Sequence, residues 1–506
     1  MKKTIFIKNA AILTASSLLL RFVGIFFKVW LAAKINAEGI GLYQLVFSVY
    51  MFAATFATSG ICTAVTRLIS EELVIGSKGG IRRILSRCIM LSVGISIITI
   101  SLLFFGGDFI AKNILRDTRA ALSLKILGFS LPFMSVCSCI KGYFMARRKA
   151  APSSFSQILE QIVRIIVIIP LVSKHSAIGL EYSCAAILVG DVLAEAASCA
   201  YVYFVYKFDF KRLKIAPHTA QKAYRLLPVI SHIALPISAG KYLNSLLRMI
   251  ENILVPICLS AFSAASNGIS LFGMIKGMAL PILFFPSTLL GTLSTLLLPE
   301  ISEASVCNRT GVVRSIVARI IKSCCILSII FSGIFLVCGK NLGVLIYNNA
   351  DVGLLLCALS PIIPFMYLDA ISDGILKGLD QQKFTFFTSV GDSAVRILLI
   401  LLFLPRFGIK AFILIMYFSN FITGFLNTKK LIKASRVSFD LCGQFFIPVC
   451  CGFSLCLALS FLLNILGVSN LLFVVIIVAV CLPLYLVILY FLGIINQDDI
   501  NFIRKR

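Results

Sequence analysis

The sequence predicts an all-α polytopic membrane protein of about 14 transmembrane helices. Of its 506 residues 59% are hydrophobic and only 13% charged, and mean hydropathy is +1.01, which excludes an ordinary soluble domain. Apolar runs of membrane-spanning length also recur along the whole chain. They fall near 10–33, 40–66, 84–106, 121–146, 152–173, 177–206, 229–260, 267–298, 312–338, 353–376, 384–404, 408–428, 441–463 and 470–493. The longest interval between them, 207–228, has no room for a folded soluble domain, so function must reside in the membrane.

An internal repeat organises these spans. At an offset of 232 residues Ser70-Glu71 meets Ser302-Glu303, Gly79 meets Gly311, Arg82 meets Arg314 and Pro132-Phe133-Met134 meets Pro364-Phe365-Met366. Because the offset contains six spans, an even number, both copies insert in the same sense. Two parallel-repeat six-helix lobes are therefore expected, with a substrate site between them near mid-membrane. The expected domains are an N-lobe at 1–206, a basic cytoplasmic linker at 207–228, a C-lobe at 229–430, and two further helices with a cytoplasmic tail at 431–506.

The first span, Ala10 to Ala33, is apolar throughout yet carries Arg21 and Lys28. With Thr14, Ser17 and Gly24 they recur at steps of three and four, which makes one polar stripe on a helix. A charge at mid-bilayer costs roughly 2.5 to 3.5 kcal/mol on insertion scales, so such residues face protein or a water-filled cavity. The seventh span repeats the pattern with Lys241, Asn244, Ser245, Arg248, Glu251 and Asn252. The eighth sets Lys276 between Gly273 and Gly277 in a run that Pro281 and Pro286 can bend or unwind. Arg21, Lys28, Lys241, Arg248 and Lys276 together suit an anionic diphosphate, since Arg offers a bidentate fork and Lys a point charge.

Four acids form like-charge pairs at i and i+4: Asp191 with Glu195 in the sixth span and Asp369 with Asp373 in the tenth. Such pairs, read as lacking a cation on their own helix, are candidates to couple transport to H+ or Na+. Lys125, Lys141 and Lys322 on neighbouring spans are the alternative partners. Glu160 with Arg164, and Asp392 with Arg396, set an acid four residues before a base in both halves, the order of a structural helical ion pair.

The formal charge of +26 reflects the positive-inside rule rather than nucleic acid. Lys2, Lys3 and Lys8; Arg82, Arg83 and Arg87; Arg147, Arg148 and Lys149; the linker; and Lys429, Lys430, Lys433 and Arg436 all fall on one side. This side is cytoplasmic, with both termini. Most of the 17 cysteines lie inside apolar runs as small hydrophobes, and the three histidines are scattered, so neither a metal site nor a disulfide framework is expected. No Walker A loop, nucleophile elbow or His-Glu-x-x-His segment is present, which argues against an enzyme.

Arg21-Phe-Val-Gly24, Glu38-Gly-Ile-Gly-Leu-Tyr-Gln44 and Thr58-Ser-Gly60-Ile with Ser70-Glu71 resemble the stage V sporulation protein B group of polysaccharide transporters. That group belongs to the multidrug/oligosaccharidyl-lipid/polysaccharide (MOP) superfamily, with MurJ lipid II flippases and Wzx flippases. The resemblance implies a V-shaped MATE/MurJ-like fold in the bacterial cytoplasmic membrane. It also implies outward movement of an undecaprenyl-diphosphate-linked sugar or lipid II-like peptidoglycan precursor for spore cortex or cell wall, with the last two helices forming a lipid-facing groove. Arg21 then matches the cavity arginine on the first helix of MurJ-type flippases, and Gly24 the glycine after it. A second MurJ arginine falls on Phe27, with Lys28 the nearest cation. The alternatives are a cation-coupled multidrug exporter of the same superfamily, which would line its cavity with acids and aromatics, and a non-transporting scaffold.

Overall fold

The computed structural model describes residues 2–175, 179–213, 226–262, 267–438 and 440–497. Most of the basic linker, at 214–225, and the C-terminal Arg504, Lys505 and Arg506 lie outside them. The described elements are α1 (Lys2–Thr58), α2 (Ile61–Ile75), α3 (Lys78–Phe109), α4 (Ala120–Gly128), α5 (Leu131–Ala146), α6 (Ala151–His175), α7 (Leu180–Lys211), α8 (Leu226–Phe262), α9 (Gly268–Phe272), α10 (Leu280–Phe284), α11 (Ser287–Val306), α12 (Thr310–Tyr347), α13 (Ala350–Leu359), α14 (Ile363–Gly378), α15 (Gln382–Ser435), α16 (Ile447–Ile465) and α17 (Asn470–Phe491). No strand occurs among the described residues.

Two of these helices are each a pair. Asn36 (φ 57°, ψ −179°) breaks α1, and Gly408 (φ 58°, ψ −138°) breaks α15 three residues after Pro405. Proline removes a backbone donor and glycine accepts the positive φ, so the chain reverses there. Ser419 of the second segment of α15 accordingly reaches Asp392 and Arg396 of the first. The sequence predicts 14 spans; among the described residues nine helices are long and apolar enough to cross a membrane, ten if α4 and α5, bent by 41°, form one. The chain is a multi-pass membrane protein.

The repeat reappears in the element boundaries. Adding 232 to the bounds of α5, Leu131–Ala146, gives those of α14, Ile363–Gly378, and the start of α3 at Lys78 maps onto the start of α12 at Thr310. By packing, the chain divides into Met1–Gly273 and Met274–Arg506. This division follows contacts rather than the repeat, so α8 lies in the first unit although the repeat counts it with the second lobe.

In the first unit α2, α3, α5 and α7 enclose a core around Ile69, Ile81, Leu85, Ile140, Tyr143 and Phe144. One end is closed by Asp209, which accepts hydrogen bonds from Tyr143 Oη (2.8 Å), Arg147 (2.6 Å) and Lys149 (2.5 Å), while Lys78 Nζ donates to the Leu213 carbonyl (3.2 Å). At Glu38, just past the Asn36 break, Arg119 pairs with Glu38 (2.9 Å) and with Asp117 (2.7 Å). The hydrogen bonds to Asp117, then those to Glu38, raise the Arg119 pKa above its ordinary value. Asp117 is only 8% exposed, so Arg119→Ala leaves a buried carboxylate without its cation. A loss of about 1 to 2 kcal/mol is expected, after allowing for the partly exposed arginine. Thermal unfolding in detergent checks this: Asp117→Asn/Arg119→Ala should recover part of the lost midpoint.

In the second unit α12, α16 and α17 pack around Ile330, Ile334, Cys456, Ile477 and Tyr485, and α12 also carries α13 and α14. Tyr367 Oη of α14 donates to the Leu283 carbonyl of α10 (2.5 Å). The stretch expected to unwind near Pro281 is a π-turn, Gly273–Ala279, that contains Lys276.

Candidate functional site

In the first unit α8 runs antiparallel along the second segment of α1. Asn252 Nδ2 donates to Ser48 Oγ (3.0 Å), Ser245 Oγ to Thr55 Oγ1 (3.3 Å), Tyr242 Oη to the Phe56 carbonyl (3.3 Å) and Ser238 Oγ to the Ser59 carbonyl (2.9 Å). As residue numbers fall on α8 they rise on α1. The polar stripe expected on the seventh span is thereby divided. Ser245 and Asn252 face α1, where interhelical hydrogen bonds in membranes contribute about 0.6 kcal/mol each.

Lys241 and Arg248, two turns apart on the flank of that contact, are exposed. Arg21 is exposed too, and Lys28 is half-buried. None of these four side chains makes a hydrogen bond or ion pair with any described residue. Glu251, on the same helix, is buried, and both it and Lys276 are engaged in interactions of their own. Lys276 sits half-buried in the second unit.

The first unit's acids are held differently. Arg164 of α6 donates Nε to Asp191 (2.7 Å), Nη2 to Glu160 (2.8 Å) and Nη1 to Gln161 (2.9 Å). Tyr43 Oη of α1 donates to the second Asp191 oxygen (3.4 Å). Asp191 is 6% exposed. Asp191 has no cation on its own helix, as read from the sequence; its partner on the neighbouring helix is Arg164 rather than Lys125, Lys141 or Lys322, and the planar fork of Arg164 spans Glu160 on its own helix and Asp191 on the next. Lys125 instead pairs with Asp108 (2.7 Å). Glu195, one turn beyond Asp191, feels Glu160, Lys141 and Arg164 but hydrogen-bonds none of the described residues.

The second unit has a smaller counterpart. Arg396 pairs with Asp392 on its own helix and donates to Ser419 Oγ (2.7 Å), whose hydroxyl donates to Asp392 (2.5 Å). These groups form the floor of a 250 Å³ groove between the segments of α15, walled by Phe387, Val395, Leu399, Phe418 and Leu426. The reading of Asp373 as an acid without a local cation is also corrected. Lys377 Nζ lies 2.5 Å from it, four residues on, because α14 runs to Gly378, two residues past the predicted end of that span. Asp369 accepts from Asn427 Nδ2 (2.7 Å).

Sequence reading missed Tyr43, Gln161, Ser419 and Asn427. Two of the four carried a signal: Tyr43 lies inside the Glu38–Gln44 motif, and Asn427 stands 232 residues after Glu195.

A bundle of apolar helices, with cations on two spans that pair with no described residue, defines the class: a polytopic membrane protein. The family described as "Polysaccharide biosynthesis protein" matches residues 6–305, and the chain belongs to that family. Stage V sporulation protein B of Bacillus subtilis (strain 168) is 24% identical over 462 residues, covering 90% of this chain and 89% of that protein. Among solved structures, the lipid II flippase MurJ in an inward closed conformation matches with a TM-score of 0.70 at 14% identity, over 94% of this chain and 98% of that one. An inward-facing multidrug resistance MATE family transporter of the MOP superfamily matches with 0.68 at 12% identity, over 82% and 94%. The fold is that of MOP-superfamily transporters.

Proposed function

We propose that this protein moves an undecaprenyl-diphosphate-linked sugar or peptidoglycan precursor from the inner to the outer leaflet of the cytoplasmic membrane by alternating access. Both termini are cytoplasmic, and the product serves spore cortex or cell-wall synthesis. The observation that carries this reading is the set Arg21, Lys28, Lys241 and Arg248: cations on apolar helices with no hydrogen-bonding partner among the described residues. A cation in that position is stabilised by water and by an anion that enters with it. The names of the relatives, a sporulation protein and a lipid II flippase, agree with such a cargo. The driving force in this reading is an ion gradient such as H+ or Na+, the membrane potential or the gradient of the substrate itself.

The test is binding of an undecaprenyl-diphosphate sugar to purified, folded variants. Charge-assisted hydrogen bonds are worth about 1.5 to 3 kcal/mol, so Arg21→Ala and Arg248→Ala should each weaken binding by about one to two orders of magnitude. Arg21→Lys should recover only part, since the fork is lost. Arg83→Ala, at the start of α3, should bind as wild type because that residue serves topology. Equal affinity across all variants would remove the cationic site. Preference for a cationic drug over the diphosphate in the same assay would favour the multidrug-exporter reading.

A further inference from the structure

In the second unit Asp373 and Asp392 lie close enough to act on Asp369, and both are satisfied by cations. Asp373 has Lys377 and Asp392 has Arg396. Among the described residues Asp369 receives a single neutral donor, the side-chain N–H of Asn427 at 2.7 Å. Asn427 is itself 5% exposed, and its Oδ1 is buried without a hydrogen-bond donor. An orphaned buried acceptor carries a desolvation cost, and a carboxylate surplus inside a bilayer costs more. One hydrogen atom resolves both.

We infer that Asp369 and Asn427 form a proton-binding site, a carboxyl–amide pair that closes into a ring when the carboxyl takes up a proton. The proton comes from the aqueous phase and bonds to the Asp369 oxygen that Asn427 does not contact. The new O–H donates to Asn427 Oδ1 while Asn427 Nδ2 continues to donate to the other Asp369 oxygen. Every polar atom of the pair is then satisfied. Release returns the proton to water and reopens the ring. No covalent bond other than O–H changes.

The site favours H+ over Na+. The amide presents its N–H, the positive end of its dipole, to the carboxylate, where a metal ion would need an oxygen. Among the described residues no group of three or more His, Cys, Asp or Glu can hold a metal ion. The charged groups acting on Asp369 are Asp373 on its own helix and Asp392 and Arg396 on α15. The other long helices packed on α14 are α11, which carries Glu300 and Glu303, and α12, which carries Arg314, Arg319, Lys322 and Lys340. The repeat shows the pair to be peculiar to this unit, since the residues 232 earlier are Cys137 and Glu195, with Lys141 in place of Asp373. Use of this proton to drive transport rests on the function proposed above; its binding does not.

The experiment is pH-difference infrared spectroscopy of the full-length protein in liposomes. Wild type should show a carboxyl C=O band that grows as pH falls. Asp369→Asn should remove one component of that band, the other carboxyls keeping theirs, and Asp373→Asn should leave that component in place. Asn427→Leu, close in volume, should shift the component upward in frequency by removing the N–H that the C=O accepts. A band unchanged by Asp369→Asn, or a component that Na+ removes at constant pH, overturns the proposal. If Asp369→Asn does not fold, an unshifted band in Asn427→Leu overturns it alone. Diphosphate-sugar binding, measured separately, fails or succeeds independently of this readout.

Discussion

Replacing Arg164 with alanine is expected to destabilise the first unit by roughly 3 to 5 kcal/mol, the range for stripping a buried ion pair of one partner. The guanidinium serves Asp191, Glu160 and Gln161 at once, so its loss leaves two carboxylates without their cation among α1, α6 and α7. Asp191 is buried, and Tyr43 offers it only one longer hydrogen bond. Arg396→Ala should be milder, because Asp392 keeps the Ser419 hydroxyl and only one acid is stranded. The measurement is the thermal midpoint of purified protein in detergent, with Arg164→Lys and a Glu160→Gln/Asp191→Asn/Arg164→Leu triple variant alongside. Lysine cannot reach both acids from one point charge and should recover little. The triple variant removes every stranded charge and should recover most of the loss. An Arg164→Ala protein as stable as Arg396→Ala would show that the network adds nothing to the single helical pair.

The periodicity of apolar residues made the helices and their class legible, and the repeat offset read from the sequence relates the bounds of α5 to those of α14. The i to i+4 acid–base pairs were legible for the same reason, being contacts within one helix. Contacts between helices were not. Nothing in the spacing of Asp191 reveals that Arg164, 27 residues earlier, donates to it, because that depends on how α6 and α7 face each other. Asp191 and Asp373 each have a cation, while Glu195 and Asp369 have no cation within hydrogen-bonding distance among the described residues. The cation stripe was read from helical period alone, and packing then divided it. Serines and asparagines at the α1 contact bind a neighbouring helix, and Lys241 and Arg248 on the flank are exposed, with no hydrogen bond or ion pair to any described residue.

Gly41→Ala is expected to be among the most disruptive single-methyl additions in the protein. A Cβ built at Gly41 would lie 2.0 Å from the Ile269 carbonyl oxygen, and one at Gly273 would lie 2.0 Å from the Ala37 carbonyl oxygen. The two glycines thus let the start of the second α1 segment and α9 touch backbone to backbone, the use to which membrane helices put small residues. The obstacle in both cases is a main-chain oxygen, so no side-chain rotation relieves it. The helices must separate, and overpacking of a well-packed contact costs about 1 to 3 kcal/mol or more. The contact also lies beside Glu38 and its ion pair with Arg119, so displacement of α1 should weaken that pair too. Gly24→Ala is the matched control, since a Cβ there meets nothing within 4 Å and should leave the thermal midpoint within about 0.5 kcal/mol of wild type. Gly41→Ala and Gly273→Ala should each lower the midpoint. Their double variant should fall short of the sum of the two, because one separation of α1 from α9 relieves both clashes. Full additivity would place the two glycines in separate contacts, and a midpoint unchanged by Gly41→Ala would contradict the close approach itself.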